Sequence, residues 1–227
     1  MDRQAILAAF DEQIRRHPAP DGHVEYEEGV IRSMSARGGW TGVTWCDLDH
    51  VNADAVIAAQ INRFVELSRP WEWKHYSYDQ PPDLPDRLLV AGFTPQPAEA
   101  LLVAEIAGLA LDVPPPPGVE LLTGLARQSS TTVAVLALAG CTPIAAGRVD
   151  FHPGTDFASL WGGGTVPAWR GRGVFRSLVA HRAALASARG FRYLQVDASP
   201  DSRPIFQRLG FVELATTTPF IHPGGAS

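Results

Sequence analysis

The residues whose types and spacing best suit chemistry lie between Thr165 and Leu178, in the run TVPAWRGRGVFRSL. An apolar stretch, Ala158-Ser159-Leu160-Trp161, leads through three glycines to Pro167, which removes a backbone donor and stops a strand. Arg170-Gly171-Arg172-Gly173 can then turn tightly into a helix carrying Leu178, Val179 and Leu185. Such a turn leaves backbone N–H groups unpaired at the positive end of the helix, which suits a phosphate or pyrophosphate, and two arginines add charge there. The dinucleotide fingerprint needs a third glycine and the mononucleotide loop needs Gly-Lys-Ser/Thr; neither is present. Gly162-Gly163-Gly164 marks a strand that bulges or admits something close to its backbone.

Groups for proton transfer are less distinct. Asp150, His152 and Asp156 border the strand pair before the glycine run, and His152-Pro153-Gly154-Thr155-Asp156 reads as ordinary turn chemistry. Asp150 falls within a strand, where an acid needs a reason, and an exposed edge face would supply one. Asp197 ends a later strand, with helix capping as its simpler role. His75, Tyr76 and Tyr78 form an aromatic strand that reads more readily as core. Cys46-Asp47-Leu48-Asp49-His50 has ligand-type side chains at close spacing, but capping of the next helix by Asp49 or Asn52 explains it more simply than a metal does. No metal is expected.

The elements that must position these groups follow from periodicity. Residues 2–17 read as an amphipathic helix ended by Pro18, followed by strands at His23–Ser35 and Trp40–Cys46. A helix spans about Asn52 to Ser68 with Ile57, Ile61, Phe64, Val65 and Ser68 inward, then come a strand at Trp71–Tyr78, a helix at Leu84–Val90 and a strand at 99–106. Pro114–Pro117 is a stiff internal boundary. Beyond it lie strands at Thr131–Leu138, Pro143–Phe151 and Phe157–Gly164, a helix at Val174–Arg189, a strand at Tyr193–Asp197, a helix at Ser202–Leu209 and a last strand at Val212–Ile221.

At 227 residues and 45% hydrophobic the chain can bury a core. No apolar run of membrane length occurs and the N-terminus is too polar for a signal peptide, so a cytoplasmic protein without membrane contact is expected. Cys46 and Cys141 have no metal or redox spacing and are expected to be reduced and structural. The net charge of −5 argues against nucleic acid as a partner. Between Thr165 and Arg208 eight arginines face only Asp197 and Asp201, a net +6, which leaves −11 for the remainder. The basic segment would meet an anionic cofactor and the acidic remainder could draw in a cationic amine.

The central stretch resembles the acyl-CoA signature of the Gcn5-related N-acetyltransferases, Gln/Arg-x-x-Gly-x-Gly/Ala preceded by Val-x-Pro and an aromatic residue. Here Arg170-Gly171-Arg172-Gly173-Val174-Phe175 occupies it, with Thr165, Pro167 and Trp169 upstream. Phe175 departs from the family's small residue, although its N–H could still serve, and Thr165 from its valine. A second family segment, Asn-x-x-Ala-x-x-Leu-Tyr-x-x-x-Gly-Phe, is matched at its Leu209-Gly210-Phe211 end but carries Ser199, Ser202, Ile205 and Phe206 before it. The resemblance implies an α/β protein with a mixed sheet and acetyl-CoA as co-substrate. It implies contacts from Thr165, Val166, Arg170, Gly171, Arg172, Gly173, Val174, Phe175 and Ser199, and a bulged strand pairing with the pantetheine arm. It also implies an amine attacking the thioester directly. Phe206 replaces the tyrosine that would protonate the thiolate, which leaves Ser199, Ser202 or water for that task. Asp150 and Ser199 are the candidate catalytic residues.

The two halves share an order of elements and one register. Phe93 and Phe211, Gly92 and Gly210, Asp83 and Asp201, Pro82 and Pro200, and Asp79 and Asp197 are each 118 positions apart. The same offset lays strand 24–35 on 142–153 without a gap, and Asn52-Ala53-Asp54-Ala55 under Arg170-Gly171-Arg172-Gly173. The expectation is therefore a tandem chain. Residues 1–112 form an acetyltransferase-like half without the cofactor motif, 113–118 a linker, and 119–227 the acyl-CoA-binding domain. The implied activity is acetyl transfer to a primary amine of a small molecule. A non-catalytic acyl-CoA-binding or regulatory protein and a nucleotide-phosphate-binding module of another class are the alternatives, and a homodimer is compatible with the sequence.

Overall fold

The computed structural model describes residues 2–225 apart from 19–21, 28, 36–38, 66–68 and 126–130. It divides into two compact units: Leu101–Leu214, and Asp2–Ala100 together with Ala215–Ser227. The expected boundary at 113–118 thus falls inside the Leu101–Leu214 unit, the second along the chain, the unit that begins at Asp2 being the first.

In the unit that begins at Asp2, helix α1 (Arg3–Phe10) is capped by Asp2, whose carboxylate accepts from the N–H groups of Gln4 and Ala5. It continues into a π turn at Asp11–Arg15. Strands β1 (His23–Glu27) and β2 (Val30–Met34) form an antiparallel hairpin. The single strand expected over His23–Ser35 is therefore corrected: Gly29, at φ +76°, reverses the chain in its middle, and the gapless register with 142–153 breaks there. Strand β3 (Gly42–Cys46) pairs antiparallel with β2 and parallel with β4 (Trp71–Tyr76), and the C-terminal part of β12 (Val212–His222) closes the row against β4. Helix α2 (Ala53–Phe64) buries Ala53, Ile57, Gln60 and Phe64. Val65, expected inside, is 55% exposed, and Ser68 lies outside the described residues. Helix α3 (Leu84–Val90) buries Leu84 and Leu88 against Trp71, Trp73 and Phe93, and the short strand β5 (Thr94–Pro95) follows it.

The Leu101–Leu214 unit takes in most of β6 (Glu99–Glu105) and orders its strands β6-β11-β10-β9-β8-β7. These are β7 (Val119–Leu125), β8 (Thr132–Ala139), β9 (Thr142–Phe151), β10 (Phe157–Thr165) and β11 (Tyr193–Ala198). From β7 to β10 the pairs are antiparallel; β10 and β11 are parallel. Sequence periodicity had given no strand at β7. Helix α4 (Val174–Ala188) packs across β8, β9 and β10, and α5 (Arg203–Arg208) precedes β12. Val149, Phe151, Leu160, Leu178 and Ala183 fill the space between α4 and the sheet, as alternation along β9 and β10 requires.

The last strand of each half lies with the other half's unit: β6 from Leu101 onward sits with the second, β12 from Ala215 onward with the first. Cutting the chain at its proline-rich segment would leave both units short of a strand. Among the described residues no helix is long and apolar enough to cross a membrane.

Candidate active site

The parallel ladder between β10 and β11 runs through Phe157–Tyr193, Ala158–Leu194 and Ser159–Gln195 and ends there, while β10 continues to Thr165 and β11 to Ala198. Beyond Ser159 the two strands part. On its other side β10 stays paired with β9, but the register shifts between Trp161 and Gly164, with Gly162 at φ +58°. This is the bulge that the glycine run required, and it lies along the opening between the strands.

At the end of β10 a short 3-10 turn, Pro167–Trp169, leads to the arginine-glycine loop. Gly173 holds the N-cap position of α4 in the left-handed region (φ +88°), and a Cβ built there would meet nothing within 4 Å. No side chain caps this terminus and no acid lies in the first turn. The first N–H groups of α4 thus face open space beside positive charge. Arg170 donates from Nε to the Thr165 carbonyl (3.1 Å), and the Arg172 guanidinium stands 5.0 Å from the Trp169 ring centroid. Among the described residues neither arginine has a carboxylate within 4 Å. A pyrophosphate would fit: the space is free, the donors point into it, and no acid opposes it.

The structure sorts the other expected contacts. The Val166 N–H is already given to the Ile144 carbonyl (2.9 Å), so that donor is engaged in the fold. The Phe175 ring turns inward: a Cβ on Gly163 would lie 3.0 Å from it, and it meets Phe206 edge-on at 5.6 Å. Phe206 is 3% exposed and also packs on Phe211. Ser199 follows β11 and pairs with Ser202 Oγ (3.1 Å) at the entry to α5. It stands on the loop side of the opening, whereas Asp150 lies on β9, bonded to Arg148 Nε (3.2 Å). The structure does not bring these two candidate catalytic residues together.

Sequence reasoning underestimated His152. The turn it begins is as expected, with Thr155 donating to the His152 carbonyl, but the side chain reaches back across the hairpin. Its Nε2 is 2.7 Å from Ser159 Oγ, and Gln195 Nε2 donates to the same oxygen at 2.9 Å. Ser159 and Gln195 are buried, and among the described residues Gln195 Oε1 has no partner. Burial holds the His152 imidazole below its ordinary pKa, with Asp150 acting in the opposite direction. No spacing rule would have found this group, because Gln195 joins it only through the strand register.

Asp156 lies in the bend before β10 and Asp197 on β11, while His75, Tyr76, Tyr78 and the Cys46–His50 run belong to the unit that begins at Asp2. Tyr76 and Tyr78 close around Arg15, and burial lowers the His75 pKa. Asp49 accepts from the N–H groups of Val51 and Asn52 in the turn before α2, and neither it nor the N-cap residue Asn52 gives the helix a side-chain cap, which corrects the expected capping. Among the described residues no three His, Cys, Asp or Glu side chains are grouped to hold a metal. Cys46 is buried, whereas Cys141 is exposed in a turn, which corrects its structural assignment.

Solved structures resemble this arrangement over nearly the whole chain. A GCN5-related N-acetyltransferase from Kribbella flavida superposes with a TM-score of 0.73 at 17% identity, covering 99% of this chain and 96% of that one. The chain has the fold of the GCN5-related N-acetyltransferases. A conserved protein of unknown function from Staphylococcus epidermidis gives a TM-score of 0.68 at 12% identity over 95% and 100% of the two chains. A tandem GNAT protein from the clavulanic acid biosynthesis pathway gives 0.60 at 12% identity over 87% and 79%. No protein-family model and no curated protein matches the sequence.

Proposed function

We propose that the chain is an acyl-CoA-dependent N-acyltransferase, acetyl-CoA being the donor and a primary amine of a small molecule the acceptor. The observation that carries this is the conjunction in the Leu101–Leu214 unit of an open, acid-free N-terminus at Gly173 with a bulged β10 that parts from β11 after Ser159. In this reading the N–H groups from Arg172 to Phe175, with Arg170 and Arg172, hold the pyrophosphate, and Gly162–Thr165 pairs with the pantetheine arm. The likeness to a tandem GNAT protein supports a tandem reading; in this proposal 1–112 is a half that binds no cofactor, 113–118 a linker and 119–227 the acyl-CoA domain. Asp150 and Ser199 keep their candidate roles near the acceptor and the departing sulfur respectively.

A second reading, an acyl-CoA-binding protein without transferase activity, is favoured by Phe206. It takes the position of a proton-donating tyrosine and is buried in an aromatic stack with Phe175 and Phe211. Calorimetry with acetyl-CoA, ATP and NAD tests both: binding of acetyl-CoA alone is expected, and its failure to bind would overturn both. Thiol release across a panel of primary amines then separates them, since activity requires the transferase.

A further inference from the structure

We propose that His152, Ser159 and Gln195 form a proton relay at the point where β10 and β11 part, with His152 as the final proton acceptor in acyl transfer. This rests on the transferase reading above.

The argument starts from position. Ser159–Gln195 is the last pair of the parallel ladder, so both side chains stand at the vertex of the opening. Gly147 and Val149 of β9 face α4, and the Ser159–Asp150 pairing therefore puts Ser159, Asp150 and Gln195 on the opposite face of the sheet. A thioester reaching the vertex along β10 would present its carbon to an amine arriving from that face.

The hydrogen bonds set out the path that the proton takes in the relay. Gln195 Nε2 donates to one lone pair of Ser159 Oγ, and in the relay the Ser159 hydroxyl proton is the one given to His152 Nε2. The relay requires the neutral imidazole to carry its proton on Nδ1 and to keep Nε2 as the acceptor. Gln195 Oε1, 3% exposed as a residue and without a partner among the described residues, is an acceptor still to be satisfied and can take an N–H of the incoming amine. The charged side chains on this face of the three strands are Arg148, Asp150 and Asp197, the first two joined to each other. Burial outweighs Asp150 and keeps the imidazole neutral and able to accept at neutral pH.

The step balances as follows. The amine nitrogen bonds to the thioester carbon, and its surplus proton passes to Ser159 Oγ as the Ser159 proton passes to His152 Nε2. Collapse breaks the C–S bond with the electron pair on sulfur. The imidazolium returns its proton to the thiolate or to water.

The test uses the full chain. Nitrogen NMR of the His152 ring should show the Nδ1–H tautomer; the Nε2–H tautomer would overturn the relay without any assay. For the best amine of the panel, kcat/KM should rise with pH along a limb set below the ordinary imidazole pKa. His152→Gln, which keeps a side chain able to bond Ser159, should remove that limb and lower kcat at pH 7.5 by about a hundredfold or more. Ser159→Ala, which only removes a hydroxyl, should show the same rate loss with an unchanged circular-dichroism spectrum. A limb that survives His152→Gln would overturn the relay and leave the transferase reading standing. Binding of acetyl-CoA with no transfer to any amine would overturn relay and transferase together and leave the binding-protein reading. No binding of acetyl-CoA by the unsubstituted chain would overturn all three.

Discussion

Helices α2 and α4 each follow a strand with a short parallel ladder in their own unit, yet their N-termini are surrounded differently. At α2 the turn closes on itself: Asp49 takes the N–H groups of Val51 and Asn52, Asn52 takes that of Asp49, and Asp54 in the first turn pairs with Arg87. At α4 the N-cap is Gly173, uncapped and free of acids. The strands preceding them differ in the same sense. The ladder of β3 with β4 spans only Gly42–Glu72 and Val43–Trp73, so these strands part as well. Arg15 fills that opening: it donates to the Thr44 carbonyl, takes both oxygens of Asp79 and lies 4.0 Å from the Tyr76 ring centroid. Burial works against the Arg15 charge, but Asp79, with smaller contributions from Tyr78, Tyr76 and Asp11, outweighs it and raises its pKa. One unit fills its opening with its own residues; the other leaves the start of α4 uncapped, with open space at Gly173.

The largest effect expected from this contrast is on stability. Arg15→Ala would leave Asp79, itself buried, without its cation, and should destabilise the chain by about 3–5 kcal/mol. Urea denaturation monitored by tryptophan fluorescence measures it. A loss below about 1 kcal/mol would mean that Arg15 is not what holds the first opening closed.

The next is on binding. Gly173→Asp places a carboxylate and a strained left-handed residue where the N–H groups point. It should weaken acetyl-CoA at least a hundredfold, about 2.7 kcal/mol, whereas Ala55→Asp, on the exposed start of α2, should change it less than twofold. Calorimetry on both variants checks this; equal losses would refute a single cofactor site in the second unit.

Much of this was legible in the sequence, and the part that was not has a physical pattern. Helices α3 and α4 and strands β8–β12 follow from periodicity and flanking glycines, because their apolar spacing is regular. The arginine-glycine loop and the bulge at Gly162–Gly164 were readable because backbone conformation there demands glycine. Strand β7 escaped because Thr123-Gly124 interrupts its apolar run. The β1–β2 hairpin escaped because its turn carries only one strong signal, Gly29. Interactions distant in sequence left no local trace: Arg15 with Asp79 are 64 positions apart, and Ser159 with Gln195 are 36.

Each unit also buries an arginine in its core, and the two should respond differently to removal. Arg32 meets Glu25, Glu27 and Gln60. Arg182, 1% exposed between α4 and β9, donates among the described residues only to the carbonyls of Leu178 and Arg148, which leaves Nη2 without a partner there. It is so close to the sheet that a Cβ on Gly147 would lie 2.7 Å from its Nη1. Burial, with no carboxylate to oppose it, pulls its pKa down to about 10. Removing it strands no charge, because no acid depends on it, and the Leu178 carbonyl remains within its helix. Arg182→Met, similar in length and apolar, should therefore change stability by no more than about 1 kcal/mol, in either direction, since replacing a buried charge with a packed apolar side chain is often neutral or stabilising. Arg32→Met should cost more, because it takes the cation from Glu27 and leaves Glu25 with Arg63 as its one arginine. If Arg182→Met proved as damaging as Arg32→Met under the same denaturation protocol, the spare Nη2 hydrogens would have a partner that matters to the fold.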